Sequence, residues 1–284
     1  MMVFAAAKIF EFDSGKMIEQ VKEVLDSIDA TLQTSLDILT QNPQSMSEMW
    51  SLVNSCGNVC KNIGLSLLAL FFLVGFVFKV TELDWRNISI DFFVRELVKL
   101  ILAKALVEMS IDLCIMIFNF GAYFMNSLVL GGVSGVTFGS LDLTNMKTTF
   151  EGMGFFEQMW FKIELLTPSL VMRVCNVVIK VVCYGRILQI CLMTIISPIP
   201  LSTVAGERHK HTALHFCKEY VGVVCQGAII LILIALYKGA VSWLMSGVGE
   251  ISSITSIWKL VTVTLVLLFG VLGSSKLGKM FLGN

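Results

Sequence analysis

Charged side chains inside apolar helices are the main chemical signal in this chain. The run from Pro168 to Ser197, PSLVMRVCNVVIKVVCYGRILQICLMTIIS, is apolar apart from Arg173, Asn176, Lys180 and Arg186. Upstream, Arg95, Lys99, Lys104, Glu108 and Asp112 recur at spacings of four, five, four and four, which predicts one continuous helical stripe. A charged group at the centre of a bilayer costs about 3 kcal/mol on insertion scales, so these groups are expected to face protein or water. Two readings follow. In one, the charges satisfy each other and fix helix register. In the other, Lys99, Lys104, Glu108, Asp112, Arg173, Asn176, Lys180 and Arg186 form a polar seam or pore lining, water-filled and net cationic, for an ion or a polyanion. Counting depth along antiparallel spans places Glu108 or Asp112 opposite Arg173 and Glu96 opposite Arg186. Lys104 and Lys180 are left near mid-membrane without an obvious acid.

A second group of residues follows directly. The elbow PIPLSTVAGERHKHTALHFCKEY carries Pro198, Pro200, Glu207, Arg208, His209, Lys210, His211 and Lys218. Neither proline continues a helix, so the chain must leave the preceding span at a fixed place. His211 and His215 are four apart and could offer two metal ligands. Only Cys217 and Glu219 stand near enough in sequence to complete a set, and a cationic, headgroup-facing elbow is the plainer expectation. Eight cysteines contain no C-x-x-C pair. Cys56 and Cys60, one helical turn apart, read as helix neighbours, and no structural disulfide is expected. Walker A, G-x-G-x-x-G, H-E-x-x-H and serine-nucleophile motifs are absent, so neither an enzyme nor a cofactor is expected. Nor is there a two-halves repeat of the kind secondary transporters show.

The elements that must carry these residues are membrane helices. The chain has 284 residues, 56% hydrophobic and 15% charged, against about 25% charged in soluble domains. Mean hydropathy is +0.81 and formal net charge is zero, so any electrostatic argument must be local. Residues 14–40 read as an amphipathic helix: Ile18, Val21, Leu25, Ile28, Leu32, Leu36 and Leu39 form one side, with Lys22, Asp26, Asp29 and Asp37 off it. Its apolar side packs on the chain's own membrane domain, on a second copy, or on a different partner. Asn42-Pro43 ends that helix, and Ser45 with Glu48 is a capping-box pattern opening the next.

Five spans are expected, at about 60–80, 95–128, 168–196, 218–240 and 256–275. The fold class is therefore an all-α polytopic membrane protein, with an extracytoplasmic amphipathic segment over residues 1–50 and a membrane domain over 51–284. Within 91–128, one long helix with its stripe turned inward competes with an interfacial helix over 91–105 followed by a span; the single helix is preferred. Six glycines from Gly131 to Gly154 predict a loop, and FFEQMWFKIEL predicts an interfacial helix with Phe155, Phe156, Met159, Trp160 and Ile163 on one side. The start, MMVFAAAKIFEFDSG, lacks the pattern of a cleavable signal peptide, so targeting is expected to fall to the first span. Loop lysines and arginines, including Lys79, Arg86, Arg208, Lys210, Lys276 and Lys279, give a modest bias toward an outside N-terminus and a cytoplasmic C-terminus.

With five spans, an outside N-terminus and a long polar loop before the third span, the chain resembles the TrbL-type polytopic channel subunit of type IV secretion and conjugation machines. Ser197 to Tyr237 carries most of the likeness: an S-P-x-P turn, a small-residue stretch with Gly206-Glu207, then a basic helix running into G-A-I-I-L. The resemblance implies a non-enzymatic plasma- or inner-membrane subunit. It would form a homo-oligomeric ring in lipid and work with an ATPase and other machine subunits, with single-stranded DNA or protein passing through. The short chain lacks the large C-terminal extension of some members, which implies a minimal version from a mobile element in a Gram-positive host. A stand-alone small-solute or ion transporter and a holin-like pore former are the alternatives.

Overall fold

The computed structural model describes residues 14–82, 90–128, 152, 154–206, 209–246 and 254–280. Among these residues every regular element is helical. In chain order they are α1 (Ser14–Thr40), a 3-10 turn (Pro43–Ser45), α2 (Ser47–Glu82), α3 (Ile90–Glu108), α4 (Ser110–Leu128) and α5 (Phe155–Ile196). The short α6 (Pro198–Ser202), a second 3-10 turn (Thr203–Ala205), α7 (Lys210–Ser246) and α8 (Ile254–Met280) complete the order. Among the described residues, five stretches are long and apolar enough to cross a bilayer: Ser47–Thr81, Ser110–Leu128, Phe156–Ala205, Lys210–Val241 and Ile257–Gly278. The all-α class is thus observed, with five candidate spans as expected. Expectations placed on Arg86, Glu207, Arg208 and the glycines from Gly131 to Gly139 lie outside the described residues.

The chain divides into two compact units. The first comprises Met1–Ile38, Leu128–Cys183 and Ile230–Gly273. Here the periodicity of α1 produces a buried face of Val21, Val24, Leu25, Ile28, Leu32 and Leu36. That face packs on the chain itself, since Val21, Val24 and Leu25 meet Leu165 and Met172 of α5 and Ile257 and Leu260 of α8 around one small void. Ser27, Thr31 and Ser35 lie on or beside it without orphan hydroxyls: each donates back to a carbonyl of its own helix, at 2.6, 2.7 and 2.7 Å. α5 is one helix of 42 residues, about 63 Å long, rather than an interfacial helix ending before a span that opens at Pro168. A proline inside a helix leaves the carbonyl four residues earlier without its usual donor. Buried Leu165 and Met172 on either side anchor the helix through that point.

The second unit comprises Leu39–Ser127, Tyr184–Ile229 and Ser274–Asn284. Its 36-residue α2, about 54 Å long, begins at Ser47, and the expected capping box does not form. Instead Ser45 Oγ donates to the Asn42 carbonyl (2.7 Å), and the Asn42 side chain caps the 3-10 turn by accepting from the Gln44 N–H (3.0 Å). α3 and then α4 return antiparallel along α2. Phe76 meets Phe92 and Phe93, Leu68 clusters with Ala103 and Val107, and Gly57 lies against Ile111. The preferred single helix over 91–128 is interrupted at Met109, although Met109 N–H to Ala105 O and Leu113 N–H to Met109 O, both 2.9 Å, carry the ladder across. Only the part after the break is apolar enough to count as a span, because the part before it holds the charges.

The first part of the elbow is not an outward-facing loop. Pro198, Leu201, Ser202 and Thr203 are buried, and Leu201 joins the cluster of Leu68, Ala103, Val107 and Ala213. Gly64 makes the approach possible: a Cβ there would sit 2.7 Å from the Pro198 carbonyl oxygen. Apolar side chains at Leu201 and Ala205 explain the outcome, since burying them outweighs sending a short, mostly uncharged segment into water.

Candidate functional site

The candidate seam separates into groups that are buried and satisfied and groups that point outward. Arg186, on α5, is 3% exposed. Its Nε donates to the Val223 carbonyl (3.0 Å) and its Nη2 to the Val224 carbonyl (2.8 Å), both on α7. Gly227 supplies the room, because a Cβ built there would overlap the guanidinium. A guanidinium spread over helix carbonyls is a hydrogen-bonded way to hold a cation among apolar residues. Glu96, the acid expected opposite Arg186, is held elsewhere in the same unit: it accepts from Lys79 Nζ (2.6 Å) and Lys99 Nζ (3.1 Å).

In the first unit, Asn176 is buried and its Nδ2 donates to Ser27 Oγ of α1 (3.1 Å). Arg173 reaches Glu23 of α1 at 3.4 Å, not Glu108 or Asp112 as depth matching predicted. Both partners of that pair are more than half exposed, so it adds little stability. Lys180 is half-buried. Residues of α1 therefore supply the partners that the sequence pairing sought on the second span.

The expected stripe from Arg95 to Asp112 also divides. A five-residue step turns a helix by about 500°, which leaves Lys99 and Lys104 about 140° apart. Lys99 accordingly lies on the Lys79–Glu96 side, whereas Lys104 pairs with Glu108 at 3.6 Å on another flank. Lys104, Glu108 and Asp112 are exposed.

Of the elbow residues, Pro198 is buried and Pro200 half-buried, while His209 packs on Phe71 with ring centroids 5.3 Å apart. Lys210, His211 and Lys218 are exposed. Among the described residues no group of three or more His, Cys, Asp or Glu is placed to hold a metal. Two polar clusters escaped the sequence reading. Tyr220 OH donates to the Cys114 carbonyl (3.0 Å) and meets Thr194 Oγ1 (3.2 Å), joining α4, α5 and α7. Tyr237 meets Thr264 at 2.9 Å, joining α7 to α8. A hydroxyl within an apolar run was the available signal in each case.

Comparison with known proteins agrees with this architecture. The family described as TrbL/VirB6 plasmid conjugal transfer like protein matches residues 28–198. The match ends where the elbow begins, so α1 to α5 carry it rather than the Ser197 to Tyr237 segment expected to hold most of the likeness. Searches of curated proteins and of solved structures found no match. A family match over more than half the chain, on a helical protein with five candidate spans, places this chain in the TrbL/VirB6 family of plasmid conjugal transfer proteins.

Proposed function

We propose that this chain is a plasma- or inner-membrane subunit of a type IV secretion machine. In this reading several copies assemble around a polar translocation path, alongside an ATPase and other machine subunits, and single-stranded DNA or protein passes along it. Membership of a conjugal-transfer family supports the machine.

The outward charge of α3 supports the assembly. α3 returns along the apolar Ile63–Val80 stretch of α2, fixed by Lys79–Glu96 at one end and by Leu68 with Ala103 and Val107 further along. Lys104 and Glu108 are 61% and 48% exposed on α3. Facing lipid, each would cost about 3 kcal/mol. A neighbouring copy or a water-filled path removes that cost.

The test is a chromosomal deletion complemented by Lys104→Cys in donor cells. The expected result is loss of transfer in the deletion, restoration by the variant, and oxidative crosslinks between copies through the introduced thiol. Transfer that continues unimpaired in the deletion, or a collapse of an ion gradient as its only phenotype, overturns the reading.

A further inference from the structure

We propose that α1 is an intramembrane helix whose polar face, carrying Glu23, Asp26, Gln33 and Asp37, borders water at bilayer depth. It follows from the register of α1 within its own unit and rests on the reading of this chain as a path-forming subunit.

The depth scale is α8. Its apolar stretch, Ile257–Gly278, has 22 residues and spans about 33 Å, one bilayer core. Unlike the longer α5 and α7, it has no spare length, so its middle lies in the hydrocarbon layer. Val21, Val24 and Leu25 of α1 pack at the level of Ile257 and Leu260, the N-terminal end of that stretch, beside Leu165 and Met172 of α5. Further on, Gly278 of α8 lies against Gly222 of α7, next to the Val223 carbonyl that Arg186 of α5 holds, so α8 and α5 run parallel. α1 enters the layer beside the start of α8.

α5 gives α1 its direction. Glu23 meets Arg173 and Ser27 meets Asn176, so residue numbers rise together on the two helices and they run parallel. From Leu25, the remainder of α1 within this unit, to Ile38, covers about 20 Å of the core. Its buried side is continuous through Ile28, Leu32, Ser35 and Leu36. The opposite side is exposed at Glu23, Asp26, Ala30, Gln33 and Asp37, a single helical row. Its acids cannot face lipid cheaply. The row sits on a helix too polar to cross a membrane alone, but the packing of its other side holds it there.

The experiment is cysteine accessibility in donor cells carrying the assembled machine, with Cys56 and Cys60 replaced by serine. Single cysteines are placed at Asp26, Gln33 and Asp37, with Ala30 as a further position should an acid prove necessary for accumulation. Lipid-side controls are Val177 of α5 and Val266 of α8, which are 61% and 66% exposed. A charged, membrane-impermeant maleimide is expected to label the α1 positions, and to label Val177→Cys and Val266→Cys at least about tenfold more slowly. Protection at Asp26, Gln33, Ala30 and Asp37 equal to that at Val266 overturns the inference. So does labelling of Val266→Cys as fast as Asp26→Cys, which would put this unit outside the bilayer. Transfer in the same strains, and crosslinking of Lys104→Cys, report on the subunit's role separately, so protected α1 positions with both intact would sink only the placement of α1.

Discussion

Replacing Gly227 by alanine tests whether Arg186 is held by α7 or merely lies near it. The new methyl would occupy the space of the guanidinium. Arginine is flexible, so the helices need not move; the side chain does. It then leaves acceptors at 3.0 and 2.8 Å on the Val223 and Val224 carbonyls. Hydrogen bonds involving a charged group are worth about 1.5–3 kcal/mol each, and a displaced arginine re-forms part of that elsewhere. Gly227→Ala should therefore cost about 2–4 kcal/mol, which exceeds the gain of about 1 kcal/mol that alanine's better helix propensity offers. The assay is unfolding of the purified protein in mild detergent, run as a double-mutant cycle with Arg186→Met. Against methionine, which is short enough to leave the space at Gly227 free, the Gly227→Ala penalty should disappear, giving a coupling of about 2 kcal/mol or more. Equal effects of Gly227→Ala in both backgrounds, within about 0.5 kcal/mol, would refute the reasoning.

Three further outcomes follow from the same geometry. Gly64→Val places a side chain against the Pro198 carbonyl, 2.7 Å from where its Cβ must sit, and should dislodge the elbow at a cost of about 1–3 kcal/mol, read as faster proteolysis between α5 and α7. Asn176→Leu removes the bond to Ser27 and should weaken the seat of α1 by about 1 kcal/mol, seen as faster amide exchange in α1 while α2 and α3 are unchanged. Arg173→Gln breaks an exposed pair and should change stability by less than about 0.5 kcal/mol; a larger loss would mean the pair is shielded from solvent in the assembled protein.

Much of the fold was legible because apolar runs of bilayer length leave few alternatives. The five spans, the helix over residues 14–40 and the stop at Pro198 all came from periodicity and from proline's missing donor. What escaped was partnership. Depth counting compared only spans with spans, so it offered Arg173 the acids of the second span and overlooked Glu23, on a helix placed outside the membrane domain. It offered Arg186 a carboxylate, whereas main-chain carbonyls served, and carbonyls leave no mark in a sequence beyond the glycine that admits the guest. The stripe on α3 failed for a simpler reason: a step of five residues is not a helical repeat. The start of the elbow was misplaced because the charges that follow it were weighed and its Leu201 and Ala205 were not.

These corrections change which polar residues bear on function. Asn176 and Arg186 are consumed by the fold, one tying α1 to α5 and the other tying α5 to α7. Substituting them should injure transfer only through loss of folded protein. Lys104 and Glu108 on α3, and Asp26 and Asp37 on α1, are exposed, so their environment in a membrane must come from outside the single chain. The family match covers Asp37, Lys104 and Glu108, begins two residues after Asp26, and ends where the elbow begins. A path lined from α1 would be acidic where the sequence suggested a cationic one. For a polyanionic cargo, an acidic wall disfavours adhesion, and its repulsion acts over roughly 8 Å at physiological salt. Asp26→Lys with Asp37→Lys should then slow transfer of DNA while leaving folding intact, and leaving crosslinking intact when Lys104→Cys is added. Faster transfer in that double variant, measured at equal protein level, would show instead that the cargo is drawn along by attraction.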